Sequence, residues 1–340
     1  MSTIRAMMPL VLAALLIGGP VGCSKSQPPQ RKAGLRVLCS TYPMYLFTRQ
    51  VTAGCEGVTV ELMLPASVGC PHDYSLTPGD MRKLAAADVV ILNGLGLDDM
   101  FTSAIRQANP NAKVVLASAG IGGLLPLSPS AHTHDEHDAD DDDDDDGHDH
   151  HGHHHDPGLY NPHLFASPRM AACVVLNLAV ELAAQDSVNA ARYMQNAHAY
   201  HDRLVALGHE MGRAFLNVPN RKIVTEHAVF DYLARDCGLK IAAVIEEIPG
   251  LDPAAAEIRA LITQIRSSGA AAIFTEPKPP LDGPQRPTKI GQTLADELRL
   301  PVEVLDPVAL GPDDPPADYY ETRMRANLAT LVRILNANSQ

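Results

Sequence analysis

Residues 77–94, Thr-Pro-Gly-Asp-Met-Arg-Lys-Leu-Ala-Ala-Ala-Asp-Val-Val-Ile-Leu-Asn-Gly, read as a helix start, a helix and a buried strand in immediate succession. Thr77 is suited to accept the first free amide, Pro78 fits the first helical position, and Asp80 reaches back as the third residue of a capping box. Pro78–Ala87 is therefore expected to be helical and Asp88–Asn93, with no polar residue between Val89 and Leu92, a strand covered on both faces. Working outward, Leu35–Ser40, Val58–Leu64 and Lys113–Leu116 also read as strands, and Met44–Thr52 and Asp98–Gln107 as helices. Strands alternating with helices predict a parallel α/β lobe. The pattern returns further on, with strands at Lys222–Thr225, Ile241–Val244, Ala271–Thr275 and Val302–Leu305. Helices are expected at Val229–Cys237, Pro253–Ser267, Ile290–Leu298 and Tyr319–Leu335. Between the halves, Pro168–Gln185 and Ala190–Phe215 carry apolar residues at helical spacing, the second as one long helix bridging two lobes.

The bulk properties bound the function. Of the net charge of −13, residues 132–156 supply twelve acidic side chains and no Lys or Arg, leaving −1 for the rest of the chain. A neutral body argues against nucleic acid, which requires a basic face. At the N-terminus, Arg5 precedes the apolar run Met7–Ile17, too short to span a bilayer and suited to an export signal. Gly22-Cys23-Ser24 resembles a lipoprotein cleavage site, with Cys23 as the lipidated first residue; Pro20 departs from the usual Leu three positions earlier. The alternatives are an ordinary cleaved signal and a plain buried cysteine. The expected organisation is a signal peptide over 1–22, a polar tether over 23–34, and an N-terminal α/β lobe over 35–166. A helical connection over 167–217 and a C-terminal α/β lobe over 218–340 follow. Five further cysteines, Cys39, Cys55, Cys70, Cys173 and Cys237, form no CxxC pair, and their odd number leaves at least one thiol over.

One segment breaks the globular pattern. Within 131–157 lie nine histidines, His132, His134, His137, His148, His150, His151, His153, His154 and His155, interleaved with aspartates and almost without apolar anchors. Such a composition cannot offset its ordering entropy and is expected to be a disordered insert. Imidazole and carboxylate together suit Zn²⁺, Cu²⁺ or Ni²⁺, so the insert reads as a loose metal collector or sensor.

A specific site needs fixed ligands. Outside the insert, His198, His201 and His209 sit on the long helix; His198 and His201, spaced i, i+3, could face one another but read as helix positions turned to solvent. His72, His163 and His227 instead fall in loops, and Asp306 directly follows the last short strand. In open parallel sheets ligands gather beyond the carboxyl ends of the strands, where three of these four belong. Three imidazoles and a carboxylate satisfy a tetrahedral Zn²⁺ at about 2.0–2.2 Å per bond. Cys70 lies two residues before His72, and its thiolate could enter the same shell, or the residue could be a disulfide partner or a buried thiol instead.

These residues carry a family resemblance. The run Cys70-Pro71-His72-Asp73-Tyr74-Ser75-Leu76-Thr77-Pro78-Gly79-Asp80, continuing to Gly94, resembles the first metal-site block of the ZnuA-like (cluster A-I) metal receptors of ABC transporters. Asn161-Pro162-His163 resembles the second block, where the family usually has Asp-Pro-His, a departure that touches what supports the ligand more than ligation itself. Thr225-Glu226-His227-Ala228-Val229-Phe230-Asp231-Tyr232 resembles the third, and Ala272–Pro277 and Val304–Pro307 the C-terminal signatures. The matches run in order from about residue 35 to 335. The resemblance implies two parallel-sheet α/β lobes joined by a long rigid backbone helix, with metal in the cleft between them. It implies His72, His163, His227 and Asp306 as ligands, and His at the third position favours zinc over manganese or iron. By motif position it also puts Glu226 and Glu276 near the cleft, where either could ligate in place of Asp306 or accept a bond from a ligand, or serve as a salt bridge or cap instead.

The expected function is capture of Zn²⁺ outside the cytoplasm, periplasmic or at the cell surface, and delivery to an ABC importer's membrane permease by a monomeric receptor. Competing readings are a manganese or iron receptor of the same family, a secreted zinc hydrolase, and a surface zinc buffer or adhesin. The hydrolase reading lacks support in sequence: neither HExxH nor GxSxG occurs.

Overall fold

The computed structural model describes residues 34–69, 71, 74–127, 159–246, 254–281 and 283–337. The signal and tether with Cys23, the ligand candidate His72 with Cys70, and the His-rich insert lie outside the described residues. The first sheet is built from β1 (Leu35–Cys39), β2 (Val58–Leu62), β3 (Val89–Leu92) and β4 (Lys113–Leu116), all parallel in the order β2-β1-β3-β4. Its crossovers are α1 (Tyr42–Val51), α2 (Pro78–Ala86) and α3 (Thr102–Ala108). The second sheet repeats that order as β6-β5-β7-β8, from β5 (Lys222–Thr225), β6 (Lys240–Val244), β7 (Ala272–Thr275) and β8 (Val302–Val304). It carries α6 (Asp231–Cys237), α7 (Ala255–Ser268) and α8 (Lys289–Leu298), while α9 (Tyr319–Ala337) closes the described chain. Between the sheets lie α4 (Pro168–Gln185) and α5 (Ala190–Ala214).

Side-chain alternation along the strands explains how the layers assemble. Val37, Cys39, Val89, Ile91 and Val115 point from the first sheet into one large core, and Ile223, Ala272 and Phe274 enter the same core from the second. The intervening residues Leu38, Val90 and Leu92 bury into a separate cluster under α2 and α3, and Val224, Ala243 and Ile273 into another under α7 and α8. Period-two strands thus send one face inward to a shared core and the other outward to their own helices. Helix α5 runs through the middle of the shared core. Its 25 residues, at a rise of ~1.5 Å each, span about 37 Å. Buried Tyr193, Ala197, Tyr200, Leu204, Leu207 and Met211 form its inner stripe, and it packs on α1 and α4 as well as α6 and α9. Gly208 is required there, because a Cβ would stand 2.7 Å from the Arg169 side chain of α4.

The cysteines described, Cys39, Cys55, Cys173 and Cys237, are free thiols. Burial pushes those of Cys39 and Cys237 up to about 12, so neither forms a thiolate at neutral pH. No helix among the described residues is long and apolar enough to cross a membrane.

Candidate metal centre

Both sheets reverse their winding between the first and third strands, and polar side chains collect there at the carboxyl ends. In the first lobe Asp98 is fully buried and accepts from Ser40 Oγ at 2.5 Å, Asn93 N at 2.7 Å and Gly94 N at 2.9 Å. Burial nonetheless pushes its carboxyl up to about 6, against the pull of those three donors. Asn93 in turn donates from Nδ2 to the carbonyl of Pro162 at 3.0 Å, fixing the peptide that enters His163.

His163 begins a 3-10 turn (Leu164–Ala166) and is half-buried against Phe165. Its ring Nδ1 and its backbone N–H both lie 2.9 Å from Asn161 Oδ1. An amide oxygen only accepts, so Nδ1 carries a proton, and whenever the ring is neutral its lone pair is therefore on Nε2. Asn161 also donates from Nδ2 to the Ala228 carbonyl at 2.6 Å and to Asp231 Oδ2 at 3.0 Å. The His163 loop is thereby tied beside His227, across the sequence gap between lobes.

His227 sits two residues beyond β5. Nδ1 is 2.6 Å from Glu276 Oε1 and Nε2 is 3.0 Å from Glu246 Oε2. Burial alone would lower its pKa, but the two carboxylates outweigh that and raise it to about 10. Glu276 is positioned through its own backbone, whose N–H donates to Glu226 Oε2 at 2.7 Å; Lys278 Nζ stands 3.8 Å from Glu226 Oε1. Glu226 is buried, and that burial raises its pKa.

Asp306 follows β8, is 4% exposed and accepts from Arg323 Nε at 2.6 Å and Val308 N at 2.7 Å. Burial raises its pKa, opposed by Arg323 and reinforced by the negative field of Glu276. The loop after Asp306 lies against the segment that leads to His72: Gly311 N donates to Ala66 O at 3.0 Å, and a Cβ on Gly69 would touch Leu310 at 3.0 Å.

The loop bearing 163 is therefore tied to the one bearing 227, and the loop bearing 306 to the stretch before 72, while the field of Glu276 beside His227 reaches Asp306. Among the described residues, however, no three His, Cys, Asp or Glu side chains are arranged to hold a metal ion. His227 is engaged by Glu246 and Glu276, and Asp306 by Arg323. The helix histidines stand apart from this centre: His198 bonds the Met194 carbonyl and His201 bonds Asp202. Glu246 is a residue that the motif reading passed over. It lies two positions beyond β6, where the same strand-end rule would have found it.

The family described as ZnuA, zinc-uptake complex component A periplasmic, matches residues 37–334. The chain belongs to this family. The high-affinity zinc uptake system protein ZnuA of Brucella abortus is 32% identical over 341 residues, covering 95% of this chain and 97% of that protein. The zinc-binding protein AdcA of Streptococcus pyogenes is 28% identical over 300 residues, and this chain spans only 55% of its length. Among solved structures, the solute-binding protein FpvC of Pseudomonas aeruginosa in complex with Mn²⁺ superposes with a TM-score of 0.71 at 26% identity. It covers 89% of this chain and 99% of its own. A zinc-bound ZnuA lacking its residues 138–173 superposes with a TM-score of 0.66 at 25% identity, over 90% and 98% of the two chains. The family is one of solute-binding receptors, and its description places it outside the cytoplasm. The two-lobed parallel architecture expected from the residues is the architecture of these relatives.

Proposed function

We propose that this receptor captures Zn²⁺ in the cleft through His72, His163, His227 and Asp306 and delivers it to the membrane permease of an ABC importer. It acts as a carrier and not as an enzyme. The observation that supports this most is the set of ties between loops. Asn161 links the His163 loop to the residue after His227, and Gly311 links the Asp306 loop to the segment before His72. Loops distant in sequence but bonded to one another at the strand ends are what a four-ligand cage requires. The zinc uptake named for the Brucella abortus relative agrees with it.

Zinc binding then carries defined chemical demands. His163 presents Nε2, while His227 must release a proton and one carboxylate contact, and Asp306 must share its charge with Arg323. Four protein ligands close the shell and leave no coordinated water to activate, which suits carriage over hydrolysis. Cys23 is the proposed lipid anchor, the monomer the proposed state, and the nine insert histidines the proposed collector that feeds the cleft.

A second reading has one specific observation in its favour. Glu246 and Glu276 both touch His227, and a shell recruiting either would be richer in oxygen, as Mn²⁺ prefers. Competitive titration of the purified protein with Zn²⁺ and Mn²⁺, with X-ray absorption on the one-metal complex, separates the two. Tight one-to-one zinc binding in a four-coordinate, imidazole-rich shell is expected. A six-coordinate oxygen shell with preference for Mn²⁺ would replace the zinc assignment.

A further inference from the structure

Asn161 is fully buried, and every polar atom it owns is used. Its N–H donates to the Leu125 carbonyl at 2.8 Å and its carbonyl accepts from Tyr232 Oη at 2.8 Å. Side-chain Oδ1 accepts from the backbone N–H and ring Nδ1 of His163, and Nδ2 donates to Ala228 O and Asp231 Oδ2. The orientation of the amide is not arbitrary. A backbone N–H must face its oxygen and a backbone carbonyl must face its nitrogen, so a flipped amide would lose both bonds.

This pattern also says why the residue is an amide. An aspartate at 161 would still accept from His163, but its second oxygen would meet the Ala228 carbonyl and the Asp231 carboxylate, with nothing to donate to either. Two carboxylates at such a separation, buried together, repel one another. The residue following the amide is held independently, through Asn93 Nδ2 on the Pro162 carbonyl. The tripeptide Asn161-Pro162-His163 is thus pinned by the first lobe at its middle and by the second lobe at its start.

We infer that Asn161 is a positioning residue with two separable arms. Its oxygen locks His163 in the tautomer that offers Nε2 to the metal, and its amide nitrogen clamps the His163 loop to the backbone beside His227. The inference rests on the reading of His163 and His227 as zinc ligands, and the experiment keeps the two apart. Outer partners of a metal-binding imidazole set its orientation and basicity, and removing one typically weakens metal binding about 10- to 100-fold.

The test compares Asn161→Asp, Asn161→Ala and His163→Ala in the full chain by competitive Zn²⁺ titration against a chromogenic chelator. It also reads the His163 tautomer in the metal-free protein from long-range ¹H–¹⁵N spectra above the imidazole titration range. Asn161→Asp keeps the acceptor and loses the donor, so His163 should stay protonated at Nδ1 while zinc affinity drops about tenfold. Asn161→Ala loses both arms, and the Nε2-protonated tautomer should become populated alongside the loss of affinity. A general destabilisation would not move the tautomer, and Asn161→Asp carries the test if the alanine variant folds poorly. If His163→Ala weakens zinc binding but both Asn161 variants keep wild-type affinity and tautomer, the inference is wrong and the ligand reading stands. If His163→Ala itself leaves affinity unchanged, the ligand reading falls and takes the inference with it.

Discussion

At the scale of single residues, the chain contrasts histidines held by distant parts of the sequence with histidines bonded within their own helix. His163 Nδ1 is held by Asn161 Oδ1, whereas His201 bonds its neighbour Asp202. On the proposed ligand set, His163→Ala should therefore weaken Zn²⁺ binding by at least about tenfold, since it would remove a metal bond, and His201→Ala should leave it unchanged. Competitive titration of the two variants side by side checks this, and equal losses would contradict it. Zinc affinity should also fall as pH drops below about 10, because His227, held protonated up to that pH by Glu246 and Glu276, must lose its proton to ligate, and it should fall more steeply once pH passes below about 6.5, where an ordinary imidazole takes up a proton. A second residue-scale prediction concerns Asp98, the fully buried carboxyl whose pKa rises from 3.8 to about 6. The fold favours its protonated form, so its contribution to stability is complete below 3.8 and is lost as pH rises through about 6. The stability of the wild type relative to Asp98→Asn should accordingly fall between pH 4.5 and 7 and flatten above that. At pH 7 the variant still costs about 1–3 kcal/mol, because an Asn amide turns a donor toward Asn93 N–H or Gly94 N–H. Urea unfolding at a series of pH values reads both effects. A gap that widens with pH would mean that the three donors outweigh burial and that the carboxyl titrates lower.

At the scale of elements, α5 decides whether the two lobes behave as one. Leu204 is fully buried in its inner stripe, inside the core to which both sheets contribute. Leu204→Ala should cost about 2–5 kcal/mol through lost burial and the cavity left behind. Because the core is continuous, hydrogen exchange should accelerate alike in β3 and β7. Acceleration confined to one of them would show that the lobes open independently. Elements of this kind were legible in the sequence because periodicity and caps agree. Helix α2 begins at Pro78 with the capping box of Thr77 and Asp80 formed in both directions, and α4 runs over Pro168–Gln185 as its pattern suggests. Where boundaries moved, a local competitor explains it. Helix α1 starts at Tyr42, ahead of the expected Met44, because Pro43 sits in the first turn, where no amide is needed. The helices expected over 98–107 and 229–237 each open with a 3-10 turn instead, Asp99–Phe101 and Ala228–Phe230. In the first, the Asp98 side chain is committed to Asn93 and Gly94 and does not cap the helix. The site was readable only as a set of loop positions. The pairing of His227 with Glu246, and the bond from Asn161 to Ala228, join residues that no local pattern connects.

At the scale of the whole molecule, the acidic, histidine-rich insert and the globular body divide the charge unequally, and the fold shows how the two are joined. Pro126 pairs with Tyr160 in an antiparallel bridge, Leu127 N donates to Leu159 O at 3.0 Å, and Asn161 N donates to Leu125 O at 2.8 Å. The chain therefore leaves and re-enters the body through a narrow two-stranded neck, whose ends are already as close as those of a hairpin. Closing such a neck with a short Asn-Gly turn adds little strain, and shortening a loop changes its closure entropy only slowly. Replacing residues 128–158 in this way should preserve the fold and the Asn161 bonds two residues further on. Total zinc bound at saturation should fall, since the nine imidazoles are gone, while one tight site remains. Its affinity should stay within about twofold of wild type, the additivity expected of sites that share no partners. Equilibrium dialysis with elemental analysis gives the stoichiometry, and chelator competition gives the affinity. Loss of the tight site with the insert would place high-affinity capture among His132–His155 and remove it from the cleft. Retention of one tight site would leave the insert as a reservoir beside the second ligand block, with the neck delivering metal a few residues from His163.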